Sequence, residues 1–145
     1  NHDLTVWVFK REVADHIIAH STHEDWADGL LAMFTWMRDH PEETRSVIAS
    51  LSMEDLQIFL YKQLRAVMEP IVDHYSDGLT VHADDHEFVT EHFTLSVLGH
   101  VCQWLTTDMS ADPTILTDRI ARVLNGQVRR SLELFASSPQ ASVRA

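Results

Sequence analysis

The sequence has little of what builds β-sheets, disulfide scaffolds or membrane spans. Its 145 residues include four glycines, four prolines and one cysteine. A single cysteine cannot form a disulfide within the chain, which fits a reducing compartment. No apolar run approaches the roughly 20 residues that a membrane span needs, and no basic segment followed by an apolar one opens the chain as a secretory signal would. We therefore expect one cytoplasmic domain, residues 1–145, with a single core.

Positive charge is scarce and is missing from the middle of the chain. The net charge is −11 with histidine neutral. No lysine or arginine lies between Arg65 and Arg119, a stretch that holds ten acidic residues, whereas five arginines and one acid follow from Arg119 onward. A surface this acidic repels phosphate backbones, so the chain as given is a poor nucleic-acid binder. The acidic middle and the basic tail either pair, within one chain or between two, or are two separate solvated faces.

Apolar residues recur with the 3.6-residue period of an α-helix along the whole chain, which predicts an all-α fold of six helices. Ser21 and Glu24 have the spacing of a capping box, while Ser52 and Asp112 are predicted N-caps. The first predicted helix covers residues 3–19, and the second ends at 39. The third covers 41–51, and the fourth ends at 75 with a kink at Pro70. The fifth ends at 107 after a cap at Asp84 or Glu87, and the sixth covers 113–136. Residues 137–145 are predicted to fray.

The last two predicted helices carry apolar residues on more than one side. The fifth is apolar around most of its circumference, so one buried face does not account for it. We predict a twofold dimer in which the last two helices of each chain form a four-helix bundle. The alternative is a monomeric bundle with the fifth helix at its centre. The predicted interface residues are His92, Leu95, Ser96, Gly99, Gln103, Leu124, Val128 and Leu132.

Three stretches of the sequence are similar to family motifs. They are the segment 3–9, which reads DLTVWVF; Trp26 with Leu30, Leu31 and Trp36; and Trp104-Leu105 followed by Asp108-Met109 and Pro113. Together they resemble the C-terminal domain of TetR-type transcription regulators, and within it the dihydroxyacetone kinase activator type. Two positions depart from that pattern, because Asp108 stands where glycine is common and residues 41–43 replace the usual aromatics.

The resemblance implies a homodimeric regulatory domain of a bacterial regulator, not an enzyme, whose N-terminal helix-turn-helix is absent from this chain. DNA would be bound only through that absent part. A small effector or a partner protein would bias two arrangements of the dimer and so control DNA binding. Pockets of this kind lie between helices and are lined by apolar and aromatic groups. The predicted effector-binding residues are Met33, Trp36, Met37, Phe59, Met68, Phe93 and Val97, although the same stripes also suit a solid core.

Ten histidines leave a second hypothesis open. His16 and His20, and likewise His82 and His86, are four residues apart, a spacing that suits metal ligands on a helix. The alternative function is therefore a helical metal- or pH-responsive module unrelated to transcription. We predict no cofactor and no catalytic residue, since there is no Gly-rich phosphate loop or nucleophile elbow and Cys102 lies among apolar residues.

Overall fold

The computed structural model describes residues 2–137, and its order of elements confirms the all-α prediction. Within that part of the chain every regular element is a helix, and none is long and apolar enough to span a membrane. The helices are α1 (His2–Ile18), α2 (Trp26–Asp39), α3 (Pro41–Ser50), α4 (Met53–Tyr75), α5 (Ala83–Thr106) and α6 (Pro113–Glu133). The fraying predicted for 137–145 lies, beyond residue 137, outside the described residues.

Two predicted caps are confirmed and two lie elsewhere. The Ser52 hydroxyl accepts from the Asp55 amide at 3.0 Å, and Asp112 accepts from the amides two and three residues ahead. At α2 the reciprocal bonds join Thr22 and Asp25 rather than Ser21 and Glu24. The hydrogen bonds from Thr22 hold the pKa of Asp25 below its ordinary value. The two pairs are one residue apart in a run where either spacing suits a capping box.

The predicted N-cap of α5 is also wrong. Neither Asp84 nor Glu87 caps it; the ring nitrogen Nδ1 of His82 accepts from the Asp84 amide at 3.2 Å, and the helix begins at Ala83. In α4 the helix continues through Pro70, which has no N–H to donate to the preceding turn. The kink expected there stays a prediction.

All six helices contribute fully buried apolar side chains to one core. At least one apolar residue of each helix has no exposed surface, for example Val13, Phe34, Val47, Leu60, Val101 and Val128. The rings of Phe34 and Trp104 meet edge to face with centroids 4.8 Å apart, at the heart of this core. The helix α5 packs along α4 on one side and along α6 on another, and its remaining side is exposed.

The turn between α5 and α6 has an unusual backbone. Asp108 and Met109 both have positive φ, 56° and 57°, a region that costs an L-residue about 1 kcal/mol and that aspartate tolerates better than most. Asp108 also pairs with Arg45 of α3 at 3.0 Å. The ring nitrogen of Trp104 donates to the Ala111 carbonyl at 2.9 Å, which ties the turn to the core. Positive φ is the physical reason why glycine suits the position of Asp108.

Candidate functional site

The exposed sides of α5 and α6 form one continuous surface, which we call the α5–α6 outer face. Five predicted interface residues lie on its α5 half, and all five are exposed. The face consists of Phe88, His92, Leu95, Ser96, Gly99 and Gln103 from α5, with Ile115, Arg119, Val123, Gly126 and Arg130 from α6 and Leu134 directly after it. Its large apolar side chains are half exposed or more, from 50% for Leu95 to 80% for Leu134.

The three α6 residues predicted at the interface are elsewhere. Leu124, Val128 and Leu132 are 3%, 0% and 0% exposed, because they point into the core of their own chain. Residues on the other side of α6, such as Arg119 and Val123, are exposed instead. Within the protomer, therefore, the five predicted residues of α5 are exposed and the three of α6 are buried.

Two shallow grooves run along the α5–α6 outer face. One of about 310 Å³ has buried Phe93 and Ile120 in its floor, with His100 and Arg119 at its edge. The other, of about 190 Å³, lies between Phe88 and the end of α6. Among the described residues no carboxylate lies within ion-pair distance of Arg119. The face therefore combines large exposed apolar side chains with polar groups and a positive charge that has no carboxylate partner in the described part of the chain, although the chain as a whole is acidic.

The opposite side of α5 is held to α4 by a polar network around Arg65. Its guanidinium reaches Glu87 at 2.6 Å, Glu91 at 3.0 Å and Glu69 at 3.1 Å, and its side chain is 16% exposed. The Tyr61 hydroxyl donates to Glu91, which raises the pKa of Tyr61 above its ordinary value. These acids of the middle segment pair with α4, not with the arginines of the tail.

The tail arginines have other contacts in the protomer. Arg122 pairs with Asp118 of its own helix at 2.8 Å. Arg129 donates to the backbone carbonyls of Tyr75 and Asp77. The expected pairing of the acidic middle with the basic tail is thus limited, among the described side chains, to the Asp118 pair and to carbonyl contacts.

The predicted effector-binding residues do not line one cavity. Met33 and Met37 have no exposed surface and pack in the core, and Phe59 is half-buried under Lys10. Met68 and Val97 line an enclosed crevice of about 20 Å³ between α1, α2, α4 and α5, which has room for about one water molecule. Phe93 and Val97 also reach the floor of the larger outer groove.

Trp36 lines a different cavity, an open groove of about 440 Å³ between α1 and the outer side of α2. We call it the α1–α2 groove. Neither sequence periodicity nor the resemblance indicated this groove. The signal that could have found it is the run of polar residues at helical spacing along α2.

The histidines do not form a metal centre in the described part of the chain, where no three histidine, cysteine or acidic side chains are grouped to hold an ion. His86 pairs with Asp73 at 3.1 Å, while His82 is occupied as the cap of α5. The rings of His23 and His74 stack with centroids 3.5 Å apart. Cys102 is half-buried, and burial raises the pKa of its thiol, as suits a packing residue.

The fold and the outward helix pair define a class: an all-α domain with exposed apolar residues on its last two helices and, in its described part, no helix that could span a membrane. Residues 24–126 match a TetR-type family described as the transcriptional regulator C-terminal region. Because the match covers more than half of the chain, the chain belongs to that family. It matches none of the curated proteins and none of the solved structures with which it was compared.

Proposed function

We propose that this chain is the dimerisation and effector-sensing domain of a bacterial, cytoplasmic TetR-type transcription regulator. The observation that carries the proposal is the α5–α6 outer face. Two copies related by a twofold axis would join their α5 and α6 helices into a four-helix bundle. DNA would be bound by a helix-turn-helix outside this chain, which is consistent with the acidic net charge of −11.

The apolar side chains of the outer face support a partner of the same kind. Leu95, Ile115 and Val123 are 50%, 55% and 63% exposed and lie on neighbouring helices. Burying such side chains contributes about 25 cal/mol per Å² of apolar surface. A contiguous apolar face flanked by polar residues is typical of an interaction surface.

Two glycines on the same face support close helix packing there. Gly99 lies in α5 and Gly126 in α6, and an added Cβ would meet nothing within 4 Å at either position. A glycine inside a helix costs about 0.5–1 kcal/mol relative to alanine, and nothing in the protomer requires it at these positions. The backbone of a second chain could approach α5 and α6 closely at these positions, because no side chain occupies the space.

The enclosed core crevice is the proposed effector site. Its lining, which includes Trp26, Leu30, Met68 and Val97, is apolar, so a small apolar effector fits its chemistry. At about 20 Å³ the crevice is too small for an organic molecule, so an effector would have to part α1 and α2 from α4 and α5. Preferential binding to the parted arrangement would shift the population of dimer geometries. A partner protein remains the other possible effector within the proposal.

Within the family, we also propose the dihydroxyacetone kinase activator type as the nearest subgroup. The positive φ of Asp108 supports it, since this backbone explains why glycine is common at that position in the resembling motif.

The dimer is tested by sedimentation of the purified chain at micromolar concentration. We expect a particle of twice the 16.6 kDa chain mass. A single species of 16.6 kDa at that concentration would contradict the proposal.

The effector site is tested by a thermal-shift screen of small apolar compounds, because a ligand that binds the folded state raises Tm. Compounds that raise Tm should lose that effect in Val67→Leu, which adds a methylene at the crevice, and keep it in Met33→Leu, which changes the core elsewhere. Each shift is measured from the variant's own Tm. Equal shifts in both variants would place the compounds outside the crevice.

A further inference from the structure

The α1–α2 groove has the composition of a binding site and lies apart from both the core crevice and the α5–α6 outer face. His16 of α1 forms one wall, and α2 supplies the other with Asp28, Ala32, Thr35 and Asp39. These four α2 residues are spaced by four, three and four positions, so they form one stripe along the helix. The groove has a volume of about 440 Å³ and is largely open to solvent, so a ligand would lie along it with one side exposed.

An aromatic ring forms part of the apolar floor. The Trp36 ring stacks on His40 with centroids 4.4 Å apart and meets the edge of Phe9 at 6.0 Å. The Nδ1 atom of His40 lies 2.8 Å from the Trp36 carbonyl oxygen. Because a carbonyl only accepts, this Nδ1 carries the proton and donates, which leaves Nε2 of the neutral ring as an acceptor. The ring is thus held in a fixed orientation beside the groove.

Two carboxylates mark the ends of the groove. Asp28 and Asp39 are eleven residues apart, which is three helical turns, or about 16 Å along the axis. Both are exposed, and among the described residues neither has a cationic side chain within ion-pair distance. Their separation is far greater than a single metal ion could bridge, since ion–oxygen distances are about 2.0–2.6 Å.

We propose that the α1–α2 groove binds a linear organic dication, a diamine or polyamine with ammonium groups at both ends and methylenes between. The terminal ammonium groups would pair with Asp28 and Asp39. The methylene chain would lie over the apolar side chains of Leu31 and Trp36 between the two carboxylates. A short diamine cannot reach both carboxylates at once, so length is the basis of selectivity.

This site does not depend on the proposed dimer or on the core crevice. All of its residues come from α1, α2 and the cap position that follows α2, and none belongs to the α5–α6 outer face. Binding can therefore be measured whichever oligomeric state the chain adopts.

The test is isothermal titration calorimetry at low ionic strength with two probes of equal charge and different length, 1,12-diaminododecane and 1,4-diaminobutane. We expect the long diamine to bind at least about tenfold more tightly than the short one. Added salt should weaken the binding of the long diamine. Equal affinity for the two probes would overturn the proposal, because it would indicate general attraction to an acidic protein.

Variants distinguish the groove from the rest of the acidic surface. Asp28→Asn and Asp39→Asn should each weaken binding of the long diamine about twofold to fivefold, and the double variant about tenfold, as expected for exposed ion pairs. Glu54→Gln, which removes an exposed acid at the start of α4, is the matched control and should bind as the wild type does. If the aspartate variants and the control bind alike, the groove is not the site.

Discussion

The two sides of α5 differ in how many of their apolar and charged groups have partners within the same chain. Towards α4, the Arg65 side chain is mostly buried, and three glutamates share its guanidinium at 3.1 Å or less while Tyr61 lies beside it. On the outer side, Leu95 is half exposed and Arg119 has no carboxylate partner among the described residues. One side is complete within a single chain, and the other presents groups that a second chain could use.

This difference separates stability from assembly. Residues that face inward from α5 and α6 should contribute to the free energy of unfolding of the protomer. Residues of the α5–α6 outer face should contribute to the free energy of association. The four predictions below test that division, beginning with the largest expected effect.

Leu132→Ala should lower the free energy of unfolding by about 3 kcal/mol, because Leu132 is fully buried and its truncation leaves a cavity. Urea denaturation at a concentration with a single oligomeric state measures the change. Leu95→Ala, at an exposed position, is the control and should change protomer stability by less than about 0.5 kcal/mol. Dissociation of the dimer by Leu132→Ala without loss of stability would mean that the inner side of α6 is the interface.

Val123→Arg should raise the dimer dissociation constant at least about 100-fold, or about 2.7 kcal/mol. The new charge would stand one helical turn from Arg119 and, in the proposed dimer, would lie against the second copy without a carboxylate partner on its own helix face. Sedimentation equilibrium gives the constant. Ile58→Arg on α4 is matched to it, since Ile58 is 59% exposed and Val123 is 63% exposed. If both variants dissociate alike, the outer face is not the specific contact.

The helices were predictable from sequence because their signals are local. The 3.6-residue period, Ser52 and Asp112 all act within a few residues, and the structure has those elements with ends shifted by a few positions. Where two local signals compete, as for Ser21 and Thr22, the sequence alone does not decide between them.

The site was less predictable because it depends on which helix covers which face. α6 has apolar residues on both sides, and only its packing on α2, α4 and α5 decides that Leu124 is inside and Val123 outside. The same holds for Met33 and Trp36, which are three residues apart: one fills the core and the other borders the α1–α2 groove. Tertiary packing distinguishes such neighbours, and residue type does not.

On the completed side of α5, Tyr61→Phe should lower stability by about 1 kcal/mol at neutral pH, since it removes a hydrogen bond to Glu91. The folded-state pKa of Tyr61 lies above its ordinary value of 10.0 because of that bond. The wild-type contribution is therefore complete below about pH 10 and declines as pH rises through the folded-state pKa. Urea midpoints from pH 7 to pH 11 should converge for the two proteins. A constant gap across that range would show that the phenol proton is not linked to folding.

The smallest effect is expected at the turn that sets α5 against α6. Asp108→Asn keeps a residue that tolerates positive φ and removes only the exposed pair with Arg45, so it should lower the urea midpoint only slightly at low salt. Asp108→Ala removes the same pair and adds a backbone cost of about 1 kcal/mol. Salt screens the first contribution but not the second. In about 1 M salt the Asn variant should match the wild type while the Ala variant stays less stable. Equal recovery of both would mean that the positive φ at this turn carries no cost and that the ion pair alone fixes it.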